Sequence, residues 1–421
     1  MSGVGRVATA SAAVLSPAEI EERLAAGLAG LPLDGRRVLV LVPDRTRTMP
    51  LPLYYRLLVK LLRPRVQRLR FLVALGTHPP LGTDAMALLL GQTEEQRRHD
   101  HPDVEVMNHA WHDPAALALL GEIPAEDIEG LSGGLFRQAV AVRLNREVLE
   151  DDVILICGPV FPHEVAGFSG GNKYLFPGIA GAEIIHFTHW LGALITSHAV
   201  IGRKRTPVRD VIDRAAALVP RDRFAICSVV THEGVAGVFV GDPETAWSDA
   251  ADLSAEVHIR WLARPVRKVL AVLPAMYDEL WVGAKGMYKS EPVVADGGEV
   301  VIYAPRLSEI SLVHGQLIRE VGYHVRDYFV KQWDRFKDMP WGVLAHSTHL
   351  RGDGAYDAAT GVERPRIQVT LATAIPEADC RAINLGYADP ATIDPAEWAA
   401  REDPELLVIP RAGETLYRLR E

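Results

Sequence analysis

The sequence predicts an α/β protein built as two domains, each around a mainly parallel sheet. Three observations lead there. The chain has 421 residues, two to three domains' worth at roughly 150 residues each. Short apolar runs of strand length alternate with helical patterns, the signature of parallel strands joined by helical crossovers. The pattern then restarts after a polar, Pro-containing stretch, Leu262–Lys268. That restart sets a boundary near residue 266, giving an N-terminal domain over 1–266 and a C-terminal domain over 267–421, with the final residues expected to pack back on the first domain.

The elements follow in order. A helix is expected from Ser16. Arg37–Pro43 (RVLVLVP) is continuously apolar, as a strand covered on both faces must be, and Leu53–Leu62 is amphipathic. Leu69–Leu75, Val104–His109, Gln138–Val142, Val153–Cys157 and Phe224–Val230 read as further strands. Asp84–Leu90, Pro207–Val219 and a long stretch over Pro243–Leu262 read as helices. In the second domain, strands are expected at Val269–Leu273, Val300–Ala304 and Ile367–Leu371, with one helix over Asp278–Tyr288 and others between Ser308 and Phe336.

Composition excludes several classes. Hydrophobic residues make up 48% and charged residues 24%, ordinary for a globular chain and too apolar for general disorder. A net charge of −9 argues against a nucleic-acid partner. No apolar run reaches the roughly 18 residues of a membrane span. The first residues read as a loose tail and not a signal peptide. Cys157, Cys227 and Cys380 lack metal-like spacing, so free thiols and a cytoplasmic location are expected. Only eight of the 45 basic residues are Lys, which makes each Lys worth inspecting.

In open parallel sheets ligands bind beyond the carboxyl ends of the strands, and three strands here end in loaded loops. The first delivers Asp44-Arg45-Thr46-Arg47, the second Gly76-Thr77-His78-Pro79-Pro80, and the third Gly158–His163, which runs into Gly167-Phe168-Ser169-Gly170-Gly171-Asn172-Lys173. Ser-Gly-Gly followed by Asn and Lys combines backbone freedom, exposed N–H groups and a cation, which suits an anion; the plain alternative is a tight turn with a solvated Lys. Downstream, His186 and His189 share one helix face and could share a metal. His109 and His112 read as loop residues, the other reading being that they support site residues from behind, and His314, His324, His346 and His349 read as structural. Lys285 and Lys289 stand one turn apart on a helix that starts at a strand end, either facing a ligand or facing solvent.

Together Asp44-x-Thr46-Arg47, Gly76-Thr77-His78, Pro162-His163, Gly167-Phe168-Ser169-Gly170-Gly171-x-Lys173, Pro177-Gly178-Ile179 and His189 resemble the lactate racemase family, whose members use a nickel-pincer nucleotide. The resemblance runs from about residue 36 to 415 and is looser around Lys285 and the Gly413-Glu414-x-Leu416-Tyr417 tail. It implies an active site between two α/β domains. It also implies a cofactor, pyridinium-3-thioamide-5-thiocarboxylic acid mononucleotide with nickel, covalently attached at Lys173, with His189 as the nickel ligand from the protein. His78 and His163 would be the proton-transfer bases, and Arg47 and Lys285 would hold the substrate carboxylate. Asp44, Thr46, Ser169, Gly170 and Gly171 would support the nucleotide. The implied partners are a small 2-hydroxy acid and the enzymes that make the cofactor; oligomeric state is not implied.

The chain departs from the family at three places. Pro79 follows His78 where Arg is expected, Thr188 precedes His189 where Asn is commoner, and Trp281-Val282 replace a polar Tyr-Gln pair. With Trp281 one turn before Lys285 on the expected helix, the substrate expected is uncharged and more apolar than lactate. Two other readings stand beside this one: a zinc-dependent hydrolase or phosphate-substrate enzyme using His163, His186 and His189, and a non-catalytic nucleotide-binding protein.

Overall fold

The computed structural model describes residues 14–420, so most of the expected N-terminal tail lies outside the described residues. The chain groups into two compact units. Of the described residues, one takes in those up to Pro162, Phe168–Ile185 and Arg209–Val257; the other takes in His163–Gly167, His186–Val208 and those from His258 onward. Each is α/β with a mostly parallel central sheet.

The first unit carries a six-stranded sheet in the order Gly234–Gly241, Asp222–Thr231, Val153–Pro159, Arg37–Pro43, Arg68–Ala74, Val104–Asn108. Every pairing is parallel except that of the Gly234–Gly241 edge strand. Arg37–Pro43 lies centrally, Val40 beside Phe71 on one side and Leu155 on the other. From Val38 to Pro43 it is buried throughout, which is why its sequence is apolar without alternation. Ile20, Leu24 and Leu28 of the Pro17–Ala29 helix and Tyr54, Leu58 and Leu62 of the Leu51–Leu62 helix join this core. Ser16 starts the first helix in a reciprocal cap with Glu19.

The second unit has a five-stranded parallel sheet, ordered Gly386–Tyr387, Gln368–Thr373, Val294–Ala304, Val266–Val272, Leu406–Ile409. Two expected helices are corrected here. The Pro243 helix ends at His258, and Ile259–Leu262 is a strand paired with Leu416–Leu419 of the tail; its β-branched and aromatic residues suit a pleated partner. The expected Asp278–Tyr288 helix is two short ones, Leu280–Gly283 and Lys285–Tyr288, meeting at Ala284. Gly283 and Gly286 weaken this stretch and let it sit so close to Leu273 that an added Cβ would lie 2.9 and 2.7 Å from that side chain. A helix over Trp341–Arg351, which carries no sequence expectation, is buried continuously from Val343 to Arg351. Buried all round, it has no amphipathic period to read. No helix among the described residues is long and apolar enough to cross a membrane.

Two buried polar clusters hold the first unit's framework. At the end of the sheet opposite the loaded loops, Asp151 is fully buried. One of its oxygens accepts from Arg68 at 2.9 and 3.1 Å and the other from Arg70 at 2.5 and 3.0 Å. Nearer the loops, His109 is 1% exposed; its Nε2 donates to the Ala180 carbonyl at 3.1 Å and its Nδ1 accepts from the Asn145 amide at 3.1 Å. With Gly76 N–H donating to the Gly178 carbonyl at 2.9 Å, these bonds pin the Pro177–Gly181 turn.

Removing one partner of a buried ion pair leaves an uncompensated charge. Asp151→Ala is therefore expected to destabilise the protein by about 3–5 kcal/mol, read as a lower denaturation midpoint, and replacing Arg68, Arg70 and Asp151 together by apolar residues should cost less than that. Burial lowers the His109 pKa to about 4, whereas the unfolded imidazole binds a proton near 6.5. The unfolded state thus takes up more protons between those values, and stability falls as pH drops through that window, by up to about 1.4 kcal/mol per unit for this residue. Urea midpoints at pH 7 and pH 4.5 should draw apart less in His109→Gln than in the parent.

Candidate active site

The three loaded loops follow three adjacent strands, Val153–Pro159, Arg37–Pro43 and Arg68–Ala74. Asp44 closes the first turn beyond the central strand and is 6% exposed. One of its carboxylate oxygens accepts from the Thr46 N–H at 3.1 Å and the Thr46 hydroxyl at 2.6 Å. The other accepts from Nδ1 of His78 at 2.5 Å. Burial opposes the ionised form, but His78, Arg47 and the Thr46 hydroxyl together hold the Asp44 pKa at about 2. The imidazole is thereby fixed with its proton on Nδ1 and a lone pair on Nε2, and its side chain is 44% exposed. Asp44 and Thr46, expected to support a nucleotide, are thus engaged with His78 and with each other. Arg47 lies over the Phe161 ring, 5.6 Å from its centre.

The glycine segment is built from its backbone. Gly170 and Gly171 have φ of 83° and 58°, a conformation that favours glycine, and added Cβ atoms there would lie 2.5 Å from Val160 and 2.9 Å from Trp247. Ser169 is committed to the loop: its hydroxyl donates to the Pro159 carbonyl and accepts from the Phe161 N–H, both at 3.0 Å. Trp247 Nε1 donates to the Ser169 carbonyl at 2.8 Å. Arg209, absent from the sequence reading, is buried beneath this loop. It donates to the Phe168 carbonyl at 2.6 Å and the Gly170 carbonyl at 3.3 Å, with its guanidinium 4.1 Å from the Trp247 ring centre. Burial brings its pKa down to about 10, still leaving it charged at neutral pH. Asn172 is tied to Asp213, Glu244 and Arg223. Lys173 follows, half-buried on the short turn Gly171–Tyr174.

The second unit contains His163, buried, with Nδ1 accepting from the Val165 N–H at 3.1 Å and lying 3.5 Å from a Glu164 oxygen. Burial works against the Glu164 charge, but His163, His349 and Lys285 hold its carboxyl well below the usual range. His186 and His189 lie half-buried on the Ala182–Ile195 helix. Among the described residues no group of three or more His, Cys, Asp or Glu could hold a metal ion. Lys285 sits 5.5 Å from the Tyr277 ring centre, and Gly413 packs so tightly that an added Cβ would be 3.0 Å from the Lys285 Cβ. Lys289 donates to the Glu414 carbonyl at 3.0 Å, so it anchors the tail.

Trp281 does not share a helix with Lys285, because of the break at Ala284. Its ring stacks on His346 at 3.8 Å between centres and leans on His314 at 4.6 Å, while its carbonyl accepts from His346 Nε2 at 2.9 Å. One turn further along the Trp341–Arg351 helix, His349 is 4% exposed. Burial lowers its pKa to about 4, with Glu164 and His189 as its charged neighbours. The sequence hides Glu164 and His349, since one is merely next to His163 and the other lies on a helix without a readable face.

The lactate racemase N-terminal domain matches residues 18–202 of this chain. The lactate racemase of Thermoanaerobacterium thermosaccharolyticum is 25% identical over 276 residues, 64% of this chain and 60% of that protein. That of Lactiplantibacillus plantarum is 24% identical over 63% of this chain and 59% of its own length. The matched region thus spans about three-fifths of these curated relatives. The apoprotein structure of the Thermoanaerobacterium enzyme superposes with a TM-score of 0.73 at 20% identity, covering 95% of this chain and 93% of that one, which establishes a shared fold. A crystal structure of a Thermotoga maritima protein is similar at TM-score 0.85 and 32% identity, covering 96% of this chain and 99% of that one. The chain thus carries a lactate racemase N-terminal domain over residues 18–202 and shares the fold of a lactate racemase over nearly its whole length.

Proposed function

We propose that this chain is a racemase or epimerase of 2-hydroxy acids that works with a nickel-pincer nucleotide carried on Lys173. The observation that carries the reading is the Asp44–His78 pair, a buried carboxylate holding an accessible imidazole as a base beyond the carboxyl end of a parallel strand. The curated relatives named above are lactate racemases. The residues suit the cofactor. A pincer that brings its own carbon and sulfur donors asks the protein for one amine and one nitrogen ligand, which Lys173 and His189 would supply, and no larger ligand set is found among the described residues. The zinc-hydrolase reading needs three histidines around one ion and lacks that support.

Racemisation through loss of the Cα proton is slow because a carboxylate makes that carbon a very weak acid. When bound, the cofactor supplies a hydride acceptor and so replaces carbanion chemistry. The protein's task is proton transfer and orientation. His78 takes the C2 hydroxyl proton at Nε2 while Asp44 stabilises the charged ring. Arg47 and Lys285 hold the carboxylate, which keeps the planar 2-keto acid in place while its other face is presented. His163 serves the opposite enantiomer.

The side chain is proposed to be uncharged, since Pro79 stands where a cation is expected. The expectation of an apolar side chain rests on Trp281 reaching past Lys285 along one helix. The break at Ala284 and the His346 ring on the indole remove that support.

In enzyme produced together with the cofactor-synthesis enzymes, His78→Ala and His163→Ala should each lower racemisation by about 10²–10⁴-fold with covalent loading intact. Asp44→Asn should lower kcat by about tenfold or more and leave KM nearly unchanged. Near-parental rates in either His variant would remove the two-base assignment. Lys173→Arg keeps a cation but no primary amine. Intact-protein mass and nickel analysis should find no adduct in it, whereas retained adduct and activity would reduce Lys173 to an anion-binding cation.

A further inference from the structure

His349 is the histidine whose surroundings are least explained by folding alone. It is 4% exposed, and neither ring nitrogen has a hydrogen-bond partner among the described residues. The other deeply placed imidazoles are engaged: His109 at both nitrogens, His346 through Nε2 to the Trp281 carbonyl, and His324 with Glu363. A buried polar group left unmatched costs about 1–3 kcal/mol, and native structures keep few of them without a functional or solvent partner. The charged groups around His349 are Glu164 and, by way of that carboxylate, Lys285 and His163, with His189 close by. All but Glu164 are site candidates on independent grounds.

We propose that His349, beside the Glu164 carboxylate, forms a subsite for a side-chain hydroxyl of the substrate, so that the preferred 2-hydroxy acids carry a second hydroxyl. This rests on the racemase reading above. A neutral imidazole offers one N–H donor and one lone-pair acceptor, and here both are buried and unmatched. A hydroxyl likewise both accepts and donates, and it can also donate to a carboxylate. A second substrate carboxylate meets the Glu164 charge, and an alkyl group leaves the imidazole as unmatched as before. Sites built to hydrogen-bond a substrate group discriminate strongly against analogues that lack it.

The test compares 2,3-dihydroxybutanoate with 2-hydroxybutanoate, two acids of equal chain length, on enzyme whose Lys173 adduct and nickel have been verified. The parent should favour the dihydroxy acid by about 10²-fold or more in kcat/KM. In His349→Leu that ratio should fall to within about tenfold of unity. His349→Gln, which keeps a donor and an acceptor, should recover part of it, an outcome that a packing role alone does not give. In Glu164→Gln the preference for the dihydroxy acid over malate should narrow. A parental ratio near unity, or one unaltered in His349→Leu, overturns the subsite and leaves His349 holding a water, while the racemase reading survives. If the loaded enzyme turns over neither acid, the racemase reading fails. Calorimetric titration of both acids then decides the subsite: a dihydroxy preference lost in His349→Leu upholds it, and equal binding overturns it.

Discussion

A single buried guanidinium organises the densest part of the site. Arg209 gathers the carbonyls of Phe168 and Gly170 and lies on the face of Trp247, whose indole N–H takes the Ser169 carbonyl between them. Three successive carbonyls are thereby satisfied from below, which an exposed glycine loop would otherwise leave to water. The cost of burying the charge is offset by these bonds and by the aromatic face. With the loop's underside fixed, Gly170 and Gly171 can hold their left-handed turn, and Lys173 follows at a defined place on it. Asn172, locked to Asp213 and Glu244, fixes the residue just before that lysine.

The first unit's framework separates stability from chemistry along its strands. The Asp151–Arg70–Arg68 cluster sits at the amino ends of the central strands, whereas Asp44 and His78 lie beyond the carboxyl ends of two of them. Parallel strands in register place those carboxyl ends side by side, so residues thirty-four positions apart meet as one acid–imidazole pair. His109, Gly76 and Asn145 carry the same rigidity to the Pro177–Gly181 turn through main-chain bonds.

What the sequence made legible follows from where periodicity and composition carry information. Arg37–Pro43 is readable to the residue because a doubly covered strand must be continuously apolar. The loaded loops are readable because strand ends in a parallel sheet are where polar residues gather. Ile259–Leu262 was hidden at the end of a helical pattern, since only its pairing with Leu416–Leu419 makes it a strand. The split at Ala284 was hidden because it depends on close approach to Leu273. Among site residues, the motif points to Ser169 but not to the use of its hydroxyl inside the loop. Arg209 and His349 carry no local signal, as their partners lie far away in sequence or are absent from it.

The two histidines proposed as bases are held in different protonation geometries, and the difference bears on how inversion proceeds. His78 keeps its proton on Nδ1, toward Asp44, so Nε2 is ready to receive. His163 accepts the Val165 N–H at Nδ1, which puts its own proton on Nε2. An imidazole that has taken up a substrate proton is charged at both nitrogens, and its inner nitrogen then needs an acceptor rather than a donor. Asp44 already fills that role for His78. For His163 to take a proton at Nε2, its own proton must first pass to Nδ1, where the group in reach is the Glu164 carboxylate at 3.5 Å, so the ring would exchange a backbone donor for a carboxylate acceptor. Glu164 therefore has to remain ionised despite its burial, and the protonated His163 ring and Lys285 favour that form. The same carboxylate that serves the ring on one side leaves His349 facing a fixed negative charge on the other, which is why a neutral hydroxyl suits that position better than a second acid group.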